Sequence, residues 1–119
     1  MPVKRIVADL ATTDVAEVQA FYMELFDLDC VMDQGWIVTL STGESGPVQL
    51  SIAEHGGSGT PVPTLSIEVE FADLETIYQR AKLRGDVIAY ELTDEPWGVR
   101  RFFVTDPAGH LVNVLAHQT

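Results

Sequence analysis

Apolar and polar residues follow the same order twice along this chain. Each series opens with an apolar-rich run of strand character, KRIVADLA in the first half and TLSIEVEF in the second. In the second run Leu65, Ile67, Val69 and Phe71 alternate with polar residues, which is typical of a strand with one buried face. The repeated order indicates that the two halves have the same architecture.

A helical pattern follows each of these strands. In TTDVAEVQAFYMELFDL apolar residues recur at helical spacing, and Asp14 followed by Glu17 predicts an N-cap with an acid three residues on. The second helix, ADLETIYQRAKLRG, is expected to be capped by Asp73 and closed by Gly85.

Three short strand-like runs follow each helix: CVMD, WIVTL and VQLSIA in the first half, and DVIAYEL, RRFFVT and HLVNVLAH in the second. The pattern predicts an α+β fold of two βαβββ modules, at about 4–54 and 63–117, in a single domain. The Gly- and Pro-rich stretch at about 55–62 reads as a linker. We expect the modules to form a curled, cup-like mixed sheet with helices outside, whose concave face suits a small ligand.

Charge narrows the range of partners. The 119 residues include 18 Asp and Glu against 7 Lys and Arg, a net charge of -11, which repels nucleic-acid phosphates and anionic lipid surfaces. No apolar run is long enough to span a membrane, and the first residues lack the apolar core of a signal peptide. We therefore expect a cytoplasmic protein with no nucleic-acid or membrane partner. The single cysteine, Cys30, excludes an intrachain disulfide and a cysteine metal cluster.

The segment DEPWGVRRFFVTDPAGHLVNVLAH, together with FYMELFDL in the first helix, resembles the vicinal oxygen chelate superfamily of glyoxalase I, bleomycin-resistance proteins and extradiol dioxygenases. The resemblance extends from Arg5 to His117. The positions that carry it are Pro96-Trp97-Gly98, Arg100, Asp106-Pro107 and Gly109. It implies paired βαβββ modules, commonly in a homodimer, with a cup that often holds a divalent metal.

The same resemblance locates the positions where the enzymes of the superfamily carry metal ligands. They fall at Val7, at Gln49 or Ser51, at Thr64 or Ser66, and at Asn113. None of these is His, Glu, Asp or Cys, the residue types that hold transition metals. We therefore expect no metal cofactor.

Strand alternation and the two tryptophans supply the candidate ligand-binding residues. They are Val7, Asp9, Trp36, Gln49, Ser51, Thr64, Ser66, Glu68, Trp97, Arg100, Leu111, Asn113 and Leu115. Asp9 and Glu68 would favour a cationic ligand or one that offers hydrogen-bond donors, and a tryptophan can stack on a flat ring or pack its own loop. Arg100 and Arg101 must point to opposite faces of their strand, and the sequence leaves open which of them enters the cup.

Three functions agree with these residues, and none comes with an assigned catalytic residue. The first is metal-independent binding of a small organic molecule, for example to sequester a toxin in the manner of bleomycin-resistance proteins. The second is a divalent-metal-dependent lyase or dioxygenase that uses Glu68 and His117, which alternation allows to share a face. The third is an interaction module whose cup is filled by its own side chains.

Overall fold

The chain forms two compact units. The computed structural model describes residues 3–42, 49–54, 57 and 59–118. The first unit is Val7–Val62, and the second consists of Met1–Ile6 with Pro63–Thr119. Residues 55, 56 and 58 of the predicted linker lie outside the described residues.

The first unit contains one helix and four strands. Their bounds are β1 (Val3–Ala11), α1 (Val15–Phe26), β2 (Asp29–Asp33), β3 (Ile37–Ser41) and β4 (Gln49–Ala53). The residues of β1 up to Ile6 group with the second unit. The strand order is β2-β3-β4-β1, with β1 parallel to β4 and the other pairs antiparallel.

The second unit repeats this plan. Its elements are β5 (Leu65–Val69), α2 (Phe71–Arg84), β6 (Val87–Glu95), β7 (Val99–Thr105) and β8 (Leu111–His117). The strand order is β5-β8-β7-β6, and again the first strand is parallel to the last while the other pairs are antiparallel. The predicted α+β fold of two βαβββ modules, each a mixed sheet, is confirmed.

Each helix covers one face of the strands in its own unit. In the first unit α1 packs Val15 and Val18 against a cluster of strand residues: Leu10, Val38, Leu40 and Ile52. In the second unit α2 packs Leu74, Tyr78 and Ala81 against another: Ile67, Val69, Phe102, Val114 and Ala116. Because side chains alternate along a strand, the residues between these apolar positions lie on the face opposite the helix.

The two helices begin differently, although the sequence suggested the same cap for both. Asp14 is the N-cap of α1, and its Oδ1 accepts a hydrogen bond of 3.0 Å from the backbone N–H of Glu17, as predicted. The predicted Asp73 cap is wrong, because α2 already begins at Phe71 after Glu70, which makes no side-chain capping bond. Phe71, expected on the strand, is therefore the first helical residue, and Asp73 lies in the first turn. Gly85 closes α2 in the left-handed conformation, as predicted.

The DPAG turn before β8 is organised by Asp106. Its Oδ1 accepts 2.9 Å hydrogen bonds from the backbone N–H groups of Ala108 and His110, and its Oδ2 lies 2.9 Å from His110 Nδ1. The backbone N–H of His110, followed by the His110 side chain, holds the pKa of the Asp106 carboxyl below its ordinary value of 3.8. No helix among the described residues is long and apolar enough to cross a bilayer.

Asp14→Ala should destabilise the protein more than Asp73→Ala does. The first substitution removes the side-chain cap of α1, a loss of about 1 kcal/mol. The second removes only a carboxylate from the first turn of α2, whose favourable interaction with the helix dipole is about 0.5 kcal/mol. Urea unfolding followed by circular dichroism measures both, and equal losses would contradict this difference.

Asp106→Asn should change the pH dependence of stability. Because the pKa of Asp106 is lowered in the folded state, the ionised carboxylate contributes its stability fully above pH 3.8, and that contribution disappears as pH falls through the lowered value. The stability difference between wild type and Asp106→Asn, measured by urea midpoints from pH 7 downward, should therefore shrink in acid. Asp29→Asn, which replaces an exposed carboxylate on β2, is the matched control. A difference independent of pH would contradict the expectation.

Candidate functional site

The face of the second unit opposite α2 is polar but largely buried. Strand register places Ser66 of β5 beside Asn113 of β8, and Glu68 beside Leu115. On the other side of β8, Leu115 pairs with Arg101 of β7. Glu68, Arg101 and Asn113 are all buried. We call this surface of β5, β8, β7 and β6 the polar face.

Glu68 forms the first cluster of the polar face. Its Oε1 lies 2.6 Å from Arg5 Nε, and its Oε2 lies 3.0 Å from His117 Nδ1 and 4.0 Å from Lys4 Nζ. The Glu68 side chain is 6% exposed, whereas that of His117 is 61% exposed. A buried carboxylate requires charged or hydrogen-bonded partners, and Arg5 is the nearest cation. Glu68 and His117 share a face, as predicted, whereas Arg5 was not among the candidate residues.

Arg101 forms the second cluster. Its Nη2 and Nε lie 2.6 Å and 2.7 Å from Oε2 of Glu95, and Tyr90 Oη donates to the same oxygen at 3.1 Å. The guanidinium carbon lies 4.9–5.4 Å from the ring centroids of Tyr90, Trp97 and Phe103. This geometry combines an ion pair with cation–π contacts, so the positive charge is compensated within the protein.

Arg100 does not belong to the polar face. Its guanidinium lies 3.3 Å from Asp94 and 3.8 Å from Glu75, and Glu75 is a residue of α2. The prediction that Arg100 lies among the ligand-binding residues is therefore corrected. Strand alternation places Arg100 on the side of α2 and its neighbour Arg101 on the polar face. The sequence could not show which arginine faces the cup, because either of them could pair with one of the many acidic residues.

Asn113 stands at the position where the superfamily resemblance places an acidic metal ligand. Its Nδ2 donates to Ser66 Oγ at 3.1 Å. Its Oδ1 is buried and has no hydrogen-bond partner among the residues that the structure describes. Buried carbonyl oxygens are nearly always paired, so this oxygen is a candidate contact for a ligand that donates a hydrogen bond.

The first unit carries its own polar residues opposite α1. Asp9 pairs with Ser51, and Ser51 Oγ lies 3.3 Å from Thr39 Oγ1. Val7 is on the same side of β1 as Asp9 and is buried, so the first of the expected metal-ligand positions holds an apolar core residue. Thr39 was missing from the candidates, although its alternation with Val38 and Leu40 would have identified it.

The remaining candidates lie at the ends of the strands or in loops. Gln49 begins β4, Leu111 begins β8, and Thr64 precedes β5, where its N–H donates to Leu111 O at 2.8 Å. Trp97 lies in the loop between β6 and β7 with its ring over Arg101. Trp36 packs so tightly against Gly57 that a Cβ on that glycine would lie 2.6 Å from Trp36 Cβ.

One protein family matches nearly the whole of this chain. The family described as Glyoxalase/Bleomycin resistance protein/Dioxygenase superfamily matches residues 4–114. The chain belongs to this superfamily. No curated protein matches the chain significantly.

Three solved structures with a similar fold are described as proteins of different kinds. One described as NAD-dependent benzaldehyde dehydrogenase from Legionella pneumophila has a TM-score of 0.77 at 15% identity, covering 95% of this chain and 99% of its own. Methylmalonyl-CoA epimerase from Mycobacterium tuberculosis has a TM-score of 0.69 at 14% identity, covering 99% and 89%. A superfamily member from Vibrio splendidus 12B01 has a TM-score of 0.66 at 19% identity, covering 94% and 97%. At these identities the likeness extends to the fold alone.

Within the described part of the chain, the side chains at the expected ligand positions do not fit a divalent metal. No group of three His, Cys, Asp or Glu side chains is close enough to hold an ion within residues 3–42, 49–54, 57 and 59–118. Of the expected ligand positions, Val7 offers no donor atom and Asn113 offers only a weak amide oxygen. Glu68 already engages both carboxylate oxygens with Arg5 and His117.

Glu95→Gln should destabilise the protein far more than Glu91→Gln. The first substitution leaves the buried guanidinium of Arg101 beside a neutral partner, at a cost of about 3 kcal/mol. Glu91 lies on the same strand and is exposed, so its substitution should change stability by less than about 0.5 kcal/mol. Urea unfolding of both variants measures the difference, and similar stabilities would show that the Arg101 charge is not compensated by Glu95.

Proposed function

We propose that this superfamily member binds a small organic molecule on the polar face of the second unit, without a divalent metal. The observation that carries the proposal is the buried and unpartnered Oδ1 of Asn113, in the part of the chain that the structure describes. An unpaired buried acceptor costs about 1–3 kcal/mol, and a ligand that donates a hydrogen bond to it would recover that cost.

The surroundings of Asn113 support recognition of an organic ligand. The hydrogen bond to Ser66 orients the amide, and both residues lie on paired strands, which hold a binding group more rigidly than loops do. Phe103 pairs with Asn113 across β7 and β8 and supplies an apolar neighbour. A few polar groups among apolar walls are typical of small-molecule sites.

The charges of the polar face support a neutral ligand more than a cationic one. From the sequence, the acids Asp9 and Glu68 favour either a cationic ligand or one that offers hydrogen-bond donors. Glu68, however, is paired with Arg5 at 2.6 Å and lies near Lys4, so its negative charge is compensated. We therefore propose an uncharged molecule with an N–H or O–H donor, which the protein sequesters rather than transforms. We also propose a homodimer, which the resemblance implies, and a cytoplasmic location, which the sequence pattern favours.

Metal content separates this proposal from the alternative of a metal-dependent lyase or dioxygenase. Protein purified without a His tag and incubated with Mn²⁺, Fe²⁺, Ni²⁺ or Zn²⁺ should retain far less than one equivalent of metal after desalting. Elemental analysis measures it. Ser66→His/Asn113→Glu, which introduces two ligand-type side chains at paired positions of β5 and β8, is the matched comparison and should retain more metal than wild type. Near-stoichiometric metal in the wild type would overturn metal-independent binding.

A ligand screen tests the role of Asn113. A neutral compound that binds the folded protein should stabilise it by about 2.7 kcal/mol at one hundred times its dissociation constant. Asn113→Leu preserves the volume but removes the acceptor, and should weaken binding about tenfold or more. Arg100→Gln, on the side of α2, should leave binding unchanged. Thermal shift and calorimetry provide the data, and equal affinities for wild type and Asn113→Leu would contradict the site.

A further inference from the structure

Three basic side chains meet at one buried carboxylate of the second unit. Arg5 Nε lies 2.6 Å from Oε1 of Glu68, and His117 Nδ1 lies 3.0 Å from Oε2. Neighbouring strand residues point to opposite faces, but the long Lys4 side chain still brings its Nζ within 4.0 Å of Oε2. All four residues belong to the second unit. We define the basic cluster as Lys4, Arg5 and His117.

The basic cluster carries more positive charge than Glu68 neutralises. Glu68 supplies one negative charge against the two of Lys4 and Arg5, and no other acid is within ion-pair distance of either base in the part of the chain that the structure describes. Arg100 has the opposite balance, because two acids lie within 3.8 Å of its guanidinium. In a chain with a net charge of -11, the cluster is therefore a local surplus of positive charge.

Several donor groups of the cluster are unused. Arg5 approaches Glu68 through Nε, and its terminal nitrogens, Nη1 and Nη2, donate no hydrogen bond to any described residue. Lys4 Nζ, at 4.0 Å, is too far from Glu68 to donate one. Both side chains are 44% exposed, so a solute can reach these donors from solvent.

Glu68 holds the cluster in position. Its side chain is 6% exposed, and its strand β5 is fixed by pairing with β8, where Glu68 stands opposite Leu115. The buried carboxylate thus restrains the Arg5 and His117 side chains from the protein side. Donors that are already oriented lose less conformational entropy when they bind a ligand than freely rotating ones do.

We propose that the basic cluster binds an oxyanion, the carboxylate or phosphate group of a small organic acid. Arg5 presents its terminal nitrogens as a planar fork, which fits two oxygens of such a group, and Lys4 adds a point charge. A protonated His117 donates from Nε2 as well. Val3 lies on the same face of β1 as Arg5 and is 39% exposed, so it provides an apolar contact for the organic part.

This anion site is separate from the proposed site of the neutral ligand. Asn113 and His117 are four residues apart on β8, which corresponds to about 13 Å along the strand. The inference goes beyond the proposed function and does not depend on it. Asn113→Leu should leave anion binding unchanged, so a failure of one site does not imply a failure of the other.

Titration of the full chain with inorganic phosphate and with acetate is the first test. At constant ionic strength, we expect saturable NMR shift changes that are largest at the backbone amides of Lys4, Arg5 and His117, and none with chloride. Stronger binding of phosphate indicates a phosphate ester as the ligand, and stronger binding of acetate indicates a carboxylic acid. Shift changes that are not saturable with either anion, or that are largest elsewhere in the chain, would overturn the proposal.

Substitutions within the cluster test the role of each donor. Arg5→Lys keeps a positive charge beside Glu68 but removes the fork, and should raise the dissociation constant of the tighter anion about tenfold. Lys4→Gln removes a charge that makes no hydrogen bond in the free protein, and should raise the constant about threefold. Arg80→Gln makes the same change in net charge on the exposed side of α2 and should leave the constant unchanged.

Urea midpoints of the variants show whether each remains folded, and Lys4→Gln keeps the test valid if Arg5→Lys is unstable. Equal dissociation constants for wild type and Lys4→Gln, or for wild type and a folded Arg5→Lys, would contradict the anion site. A loss in Arg80→Gln as large as that in Lys4→Gln would assign the effect to net charge rather than to the cluster, and would also overturn the proposal.

Discussion

Parallel pairing of the first strand with the last, in both units, is the constraint on which the rest of the structure depends. It requires a crossover, and the helix that makes the crossover covers one face of the strands. Every second strand residue then belongs to the face opposite the helix. In the second unit this rule alone brings together Ser66, Glu68, Asn113 and Arg101, which are far apart in sequence. The candidate site is thus a direct consequence of the strand register.

Two buried charges determine the chemistry available on the polar face. Glu68 is compensated mainly by Arg5, and Arg101 by Glu95 with three surrounding aromatic rings. Since both charges are already paired, neither is available to hold an ion at no cost. Among the described residues, the amide oxygen of Asn113 is a buried polar atom of this face that has no hydrogen-bond partner. Our proposal of a neutral donor ligand, rather than metal chemistry, rests on this pairing of charges and on that amide oxygen.

The two units are alike in backbone architecture but differ in their content of basic residues. The two units share one plan of strands and helix, yet all Lys and Arg residues lie in the second unit and none in the first. The exposed side of α1 consequently carries acids without bases, whereas on α2 the bases Arg80 and Arg84 stand close to the acids Glu75 and Asp86.

The sequence by itself determined the two βαβββ modules, the Asp14 cap and which strand positions share a face, because these depend on local periodicity and capping chemistry. Only the tertiary structure decided where α2 begins, that Arg101 rather than Arg100 belongs to the polar face, and that Arg5 compensates Glu68. These outcomes depend on contacts between elements distant in the chain. Arg5 and Glu68, for example, are 63 positions apart in the chain, and no local pattern connects them. Burial and pairing of charges arise only when the chain packs. The sequence shows which residues are charged but not which of them pair.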